Sequence, residues 1–421
     1  MAKMLSFISD YNKISLPIRN VIAAEFFIQA VNATFMNILP LYMTRKDFSD
    51  KEIAMFITFR FLGVFFLALP LGRFIKRRKL FPLFYLSAVC VPFFGIAIVA
   101  CIAFKLKLLT LVSLILWGAS FTFMQIPVFP FILRNAPKQD QTAAIALSYS
   151  TWSFGGIVSG ILIAVLDFIN PVFFDEQFIL LFFSIIGFGG LILLLRVKRF
   201  KEIYTEEPDL HGPAFEKRAT DWSLVTKALV PTLIIATGAG LTIPFISLFF
   251  DKVHHIDKGQ FSVLSFTASL LVAYFAMLVP RIKEKIGYKI AIPTTQTLAV
   301  FTLVALATTQ YYNQYTIAVV IASVCYIVRQ PLMNMAGPMT SELVLNYVGK
   351  NNREITSALT SAIWSGSWVV SGFMVTILFA YNFEFVNIFL ITSLLYAVGV
   401  ILYYLLILDY NSREEEGLIE E

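Results

Sequence analysis

Twelve times along its 421 residues the chain carries an apolar run long enough to cross the roughly 30 Å of a bilayer's hydrocarbon. The runs fall at 18–43, 52–72, 80–104, 108–133, 142–167, 177–197, 223–250, 259–280, 288–309, 315–340, 354–380 and 385–409. Lipid offers the backbone no hydrogen-bonding partner, so each run is predicted as a helix and the fold class as all-α. Composition agrees. Hydrophobic residues make up 58% of the chain, charged residues 14%, and the mean hydropathy is +0.77. A soluble domain averages about 45–50% apolar and about 25% charged, so a water-soluble globular fold is excluded.

Connections between the runs are short except for 196–221, a polar stretch of mixed charge containing Pro208, Gly212 and Pro213. The predicted organisation is a six-helix bundle over 1–197, a cytoplasmic linker over 198–221, and a second six-helix bundle over 222–421 with a short acidic tail. Lys and Arg set the orientation, because positive charge gathers on the cytoplasmic side. With the N-terminus inside, 24 of the 33 Lys and Arg are cytoplasmic, 7 lie in outer loops, and 2, Arg60 and Arg329, lie within spans. Both termini are thus predicted to be cytoplasmic. Short loops, and no Asn-x-Ser/Thr outside the spans, point to a bacterial inner membrane.

The two halves repeat one another. Ala146-Leu147, Trp152-Ser153 and Ser159-Gly160 in span 5 match Ala358-Leu359, Trp364-Ser365 and Ser371-Gly372 in span 11, each at an offset of 212. Pro130 matches Pro338 at 208, and Pro40 matches Pro244 at 204. The turn after span 2, Gly72-Arg73 through Lys79, lays onto Pro280-Arg281 through Gly287, again at 208. The offset grows in steps of four that fall in loops. That is the signature of two six-span units of the same topology.

On these features the whole chain resembles the major facilitator superfamily. That family carries a Gly-x-x-x-Asp-Arg-x-Gly-Arg-Arg signature between spans 2 and 3, with a second copy between spans 8 and 9. The first copy here reads Gly72-Arg73-Phe74-Ile75-Lys76-Arg77-Arg78-Lys79, with lysines where the acid and the second glycine belong. The second, Arg281 through Lys289, keeps Glu284 and Gly287. The resemblance implies a cytoplasmic latch, with Glu284 its better-placed acid and Arg77, Arg281 and Lys285 as basic partners. Positive-inside anchoring accounts equally well for Arg77 and Arg78.

Ionisable groups inside a membrane are costly and call for a reason. Glu25, Gln29 and Asn32 in span 1 are spaced i, i+4, i+7 and share one helical face. Their repeat counterparts are Leu229, Leu233 and Ala236, so the stripe is not scaffold. Two readings stay open: a cavity-facing stripe with Glu25 as a proton-coupling site, or an interhelical hydrogen-bond network or salt bridge. Arg329 lies near the middle of span 10 beside Tyr326 and Gln330, with Asn334 one turn on. Pro331 is expected to open the helix there. The resemblance implies that spans 1, 4, 7 and 10 line a central cavity. Arg329 then becomes an anchor for an anionic group; a structural ion pair is the alternative. Arg60 in span 2 is peripheral by the same resemblance and reads as structural or gating. In span 4, Gln125 precedes Pro127 and Pro130, which invite a kink. Trp364, equivalent to Trp152, is a candidate substrate contact or interface packing.

Nothing calls for catalysis, a cofactor, a metal or nucleic acid. Cys90, Cys101 and Cys325 have no ligand spacing, and His254-His255 has no third ligand in sequence reach. The expected function is a monomeric secondary active transporter moving a small solute by alternating access, possible partners being a proton or other coupling ion and an organic anion. The alternatives are efflux of lipophilic compounds, or a non-transporting sensor or lipid-handling protein. Span 5 has Gly155-Gly156-Ile157-Val158-Ser159-Gly160 where the drug-antiporter motif requires a proline.

Overall fold

A computed structural model describes residues 14–75, 78–197, 221–276, 278–349 and 352–415. Arg77, nearly all of the predicted linker and the end of the acidic tail lie outside them, as do the side chains of Arg281 and Glu284. Each of the twelve predicted runs is helical, and no strand occurs among the described residues. Ten helical segments among those residues are long and apolar enough to cross a membrane. The other two predicted spans are the helices Asp50–Phe74 and Lys258–Ala276.

The chain divides into two compact units. Unit 1 comprises Met1–Ser49 and Phe59–Leu210; unit 2 comprises Asp50–Thr58 and His211–Glu421. Within unit 1, span 1 (Leu16–Arg45) packs on span 5 (Lys138–Ile169) and on span 6 (Glu176–Gly187 and Gly189–Leu195), while span 3 (Phe81–Ala103) packs on spans 4 and 6. Within unit 2, span 7 (from Trp222) packs on span 11 (Arg353–Ala380) and span 12 (Phe385–Glu415). Span 9 packs there on span 10 (Thr316–Tyr347) and on span 12. The same pairings recur in both units, which is the sequence repeat expressed as contacts. In unit 2, Asp50 pairs with Lys252, and Thr58 fills the space a Cβ on Gly372 would need.

Proline and glycine decide where the spans break. Span 4 stops at Gln125 and resumes as Val128–Asn135, the break falling at Ile126-Pro127 as the prolines predict. Span 7 is interrupted by a 3₁₀ turn, Ile243–Phe245, around Pro244, although its repeat partner Pro40 sits inside an unbroken span 1. Pro331 does not open span 10, contrary to expectation. The helix runs from Thr316 to Tyr347 with Pro331 and Pro338 inside it. A long membrane helix with intact turns around each proline absorbs the two missing donors. The segment after span 8 is helical rather than a loop, and joins span 9 through a kink at Gly287, φ +67°. That left-handed geometry needs glycine. Lys79, its counterpart in the first copy, is not among the positive-φ residues, so the sequence difference between the copies is a backbone difference too.

Spans 2 and 4 cross on a glycine pair. A Cβ on Gly63 would lie 2.1 Å from the Ile115 carbonyl oxygen, and one on Gly118 would lie 2.1 Å from that of Arg60. Small residues let helix backbones approach this closely in lipid. Gly118→Leu is therefore expected to destabilise by about 2–3 kcal/mol, read as a lower melting temperature in detergent. Gly337→Ala, with nothing within 4 Å of the added methyl, should hold or slightly raise it.

Candidate functional site

The i, i+4, i+7 stripe of span 1 points into unit 1 and forms one connected polar line. Glu25, Gln29 and Asn32 are 4%, 5% and 3% exposed. Ser148 Oγ of span 5 donates to Glu25 Oε2 at 2.5 Å, and Gln29 lies within hydrogen-bonding reach of the same carboxyl. Asn32 Nδ2 donates to Gln29 Oε1 at 3.4 Å, and its Oδ1 accepts from Arg60 Nη2. The line thus runs Ser148–Glu25–Gln29–Asn32–Arg60, with an acid at one end and a base at the other. Glu25 has no cationic partner within 4 Å among the described residues.

Arg60, expected on a span peripheral to the cavity, turns into the packing of unit 1. It is buried against spans 1 and 4, its guanidinium carbon 4.4 Å from the Trp117 ring centroid, with Asn32 and Met36 as its acceptors. The Gly118–Arg60 approach brings span 2 against span 4 at this level, so the side chain can only turn inward.

Unit 2 holds the other buried arginine. Arg329 is 1% exposed. Its Nη2 donates to the Tyr396 hydroxyl of span 12 at 3.2 Å, and its guanidinium lies 5.7 Å from that ring's centroid. Its Nε is buried without a hydrogen-bond partner among the described residues. Tyr326 lies edge-on to Phe250 and tilted against Phe261, and Ser265 and Gln330 lie within reach of its hydroxyl.

The remaining candidates stand apart. Gln125 and Asn334 are on exposed faces, Asn334 donating back to the Gln330 carbonyl one turn earlier at 2.8 Å, and Trp364 is 40% exposed. Lys285 is exposed just before the Gly287 kink. No group of three metal-ligating side chains occurs among the described residues.

Sequence reasoning missed Ser148, Trp117 and Tyr396. Serine, tryptophan and tyrosine are ordinary in apolar helices, so only the spatial partner marks them. Trp117 carried one usable signal, its place about two and a half turns before the span 4 proline break, on the helix that the break ends.

A model of the Major Facilitator Superfamily matches residues 21–372. No curated protein matches the chain in sequence. Among solved structures, a D-xylose-proton symporter superposes with a TM-score of 0.71 at 12% identity, over 91% of this chain and 95% of its own. The POT family transporter PepTSo gives 0.71 at 13%, over 94% and 98%. A bacterial homologue of the iron transporter ferroportin, in an inward-facing state, gives 0.69 at 12%, over 91% and 98%. At these identities the likeness is one of fold.

Proposed function

From the premise that the chain belongs to the Major Facilitator Superfamily, and is an integral multi-pass membrane transporter rather than an enzyme, we propose that it carries a small organic anion by alternating access, coupled to protons through Glu25. The supporting observation is the state of Arg329. A guanidinium in the membrane is normally neutralised by a carboxylate. Among the described residues Arg329 instead has one neutral phenol and a buried, unengaged Nε. A carboxylate or phosphate on a substrate would supply the missing acceptors as a charge-assisted fork. Tyr326 and Gln330, adjacent on the same helix, would add neutral polar contacts. Glu25 is deeply buried and, among the described residues, held by neutral groups, which leaves its carboxyl available to carry a proton.

Further support comes from the asymmetry of the repeat. Scaffold positions match between halves, whereas Glu25, Gln29, Asn32 and Arg329 have apolar counterparts at the repeat offsets. Polar groups present in one half alone are not needed to build a six-helix unit. The same reading takes residues 1–197 and 222–421 as the two moving halves, places both termini in the cytoplasm, and assigns Arg281, Glu284 and Lys285 to the cytoplasmic latch.

The test is flux. Purified protein reconstituted in liposomes should take up at least one member of a panel of small carboxylates and phosphate esters, saturably and faster with an inward proton gradient. Transport confined to neutral or cationic compounds would overturn the anion assignment. Anion uptake indifferent to the gradient would remove the coupling.

A further inference from the structure

Arg60 and Trp117 share a feature that transport through Arg329 does not use. The guanidinium has five N–H donors, and among the described residues protein acceptors engage it at two atoms, Nη2 on Asn32 Oδ1 and Nη1 on Met36 Sδ. None of these is charged, and no carboxylate lies within 4 Å among the described residues. Arg60 is 6% exposed. The tryptophan beneath it is fully buried, and its indole Nε1 is without a hydrogen-bond partner among the described residues. Two stacked side chains from different helices therefore hold unused donors at the same level of unit 1. Buried donors left unpaired are costly and uncommon.

The surroundings keep those donors in place. Trp117 stacks on Phe35 at 5.1 Å and on Phe121 at 6.3 Å, and Phe61 lies 5.2 Å from the guanidinium. Asn32 is oriented by its own donation to Gln29, so its carbonyl oxygen, not its NH₂, faces the arginine. A water-poor aromatic shell of this kind strengthens any charge–charge interaction inside it.

We propose that Arg60, Trp117 and Asn32 form an anion-binding site within unit 1, taking a small monovalent anion, either a halide or the carboxylate of an organic acid. The anion accepts from the free edge of the guanidinium and from the indole N–H, and it supplies the negative charge that Asn32 cannot. This goes beyond the transport reading, which stands on Arg329 and Glu25 and would survive its failure.

Bromide is a suitable probe because it quenches indole fluorescence on contact. Full-length protein in detergent is titrated with bromide against sulfate at constant ionic strength, sulfate being divalent where the proposed site takes a monovalent anion. Wild type should show a saturable quenching component above the linear collisional one. Trp117→Phe should remove that component, and Arg60→Gln should abolish its saturation. Arg60→Lys, which keeps the charge but loses the fork, should weaken half-saturation at least tenfold and keeps the test decisive if Arg60→Gln does not fold. Competition by acetate identifies a carboxylate site; competition by chloride alone identifies an inorganic-anion site. Strictly linear quenching in wild type, or a saturable component that persists in Trp117→Phe, overturns the proposal. Loss of anion uptake in Arg329→Ala with bromide saturation intact would separate the two sites.

Discussion

Glu25→Gln is expected to abolish proton-driven accumulation while leaving substrate exchange nearly intact. One proton moved per substrate down a one-unit pH gradient supplies about 1.4 kcal/mol, which sustains about tenfold accumulation. The variant should fall to a ratio of about one. Glutamine keeps an oxygen that accepts from Ser148 Oγ and occupies the same volume, so the span 1–span 5 contact survives. It cannot lose or gain a proton, so the variant remains in the equivalent of the protonated state. Exchange needs no net proton movement, and its rate should stay within about threefold of wild type. Both are read from radiolabelled uptake into the same liposomes, with and without the gradient. Ser148→Ala should do much less, because it removes one neutral hydrogen bond worth about 1 kcal/mol. If Glu25→Gln accumulates substrate like wild type, Glu25 is a structural member of the polar line and another group couples the proton.

The membrane helices and the repeat were legible in the sequence because both rest on local pattern: run length, hydropathy and residue identity at a fixed offset. The breaks were legible in part. Pro127 behaves as its chemistry predicts, whereas Pro331 is accommodated inside one helix and Pro40 and Pro244, matched in the repeat, differ in outcome. Whether a missing donor becomes a break depends on the packing around it, and packing is not local. The site divides along the same line. The stripe of span 1 follows from helical spacing alone, and its inward face follows from the cost of leaving a carboxyl in lipid. The join from Asn32 to Arg60 could not be read, since it depends on how closely span 2 approaches span 4. Gly63 and Gly118 permit that approach, but nothing in one sequence says which helices a glycine pair brings together. Tyr396 is a similar case. It lies 67 positions from Arg329, and only the span 10–span 12 contact within unit 2 makes it a partner.

Arg329→Ala is expected to weaken binding of the transported anion by a factor of about 100 or more. Two charge-assisted hydrogen bonds, each worth about 1.5–3 kcal/mol, would be lost together, and each 1.4 kcal/mol is tenfold. Arg329→Lys retains the charge and not the planar fork, so it should recover part of the affinity, about tenfold over alanine. Thermal shift against anion concentration reads both, because a ligand that binds only the folded state raises its melting temperature in proportion to the logarithm of ligand over Kd. Stability without ligand separates this role from a structural one. A paired buried charge stabilises through its partner, and breaking it costs several kcal/mol. Among the described residues Arg329 has one hydrogen-bond partner, the Tyr396 hydroxyl, so replacing both groups with apolar ones leaves neither of them orphaned. Arg329→Met combined with Tyr396→Phe should therefore melt at or above the wild-type temperature in the absence of ligand, while anion binding and uptake are lost. Higher stability with lost function marks a charge kept for its ligand. A double variant that melts well below wild type would make Arg329 part of the scaffold of unit 2, and the anion anchor would have to be sought elsewhere.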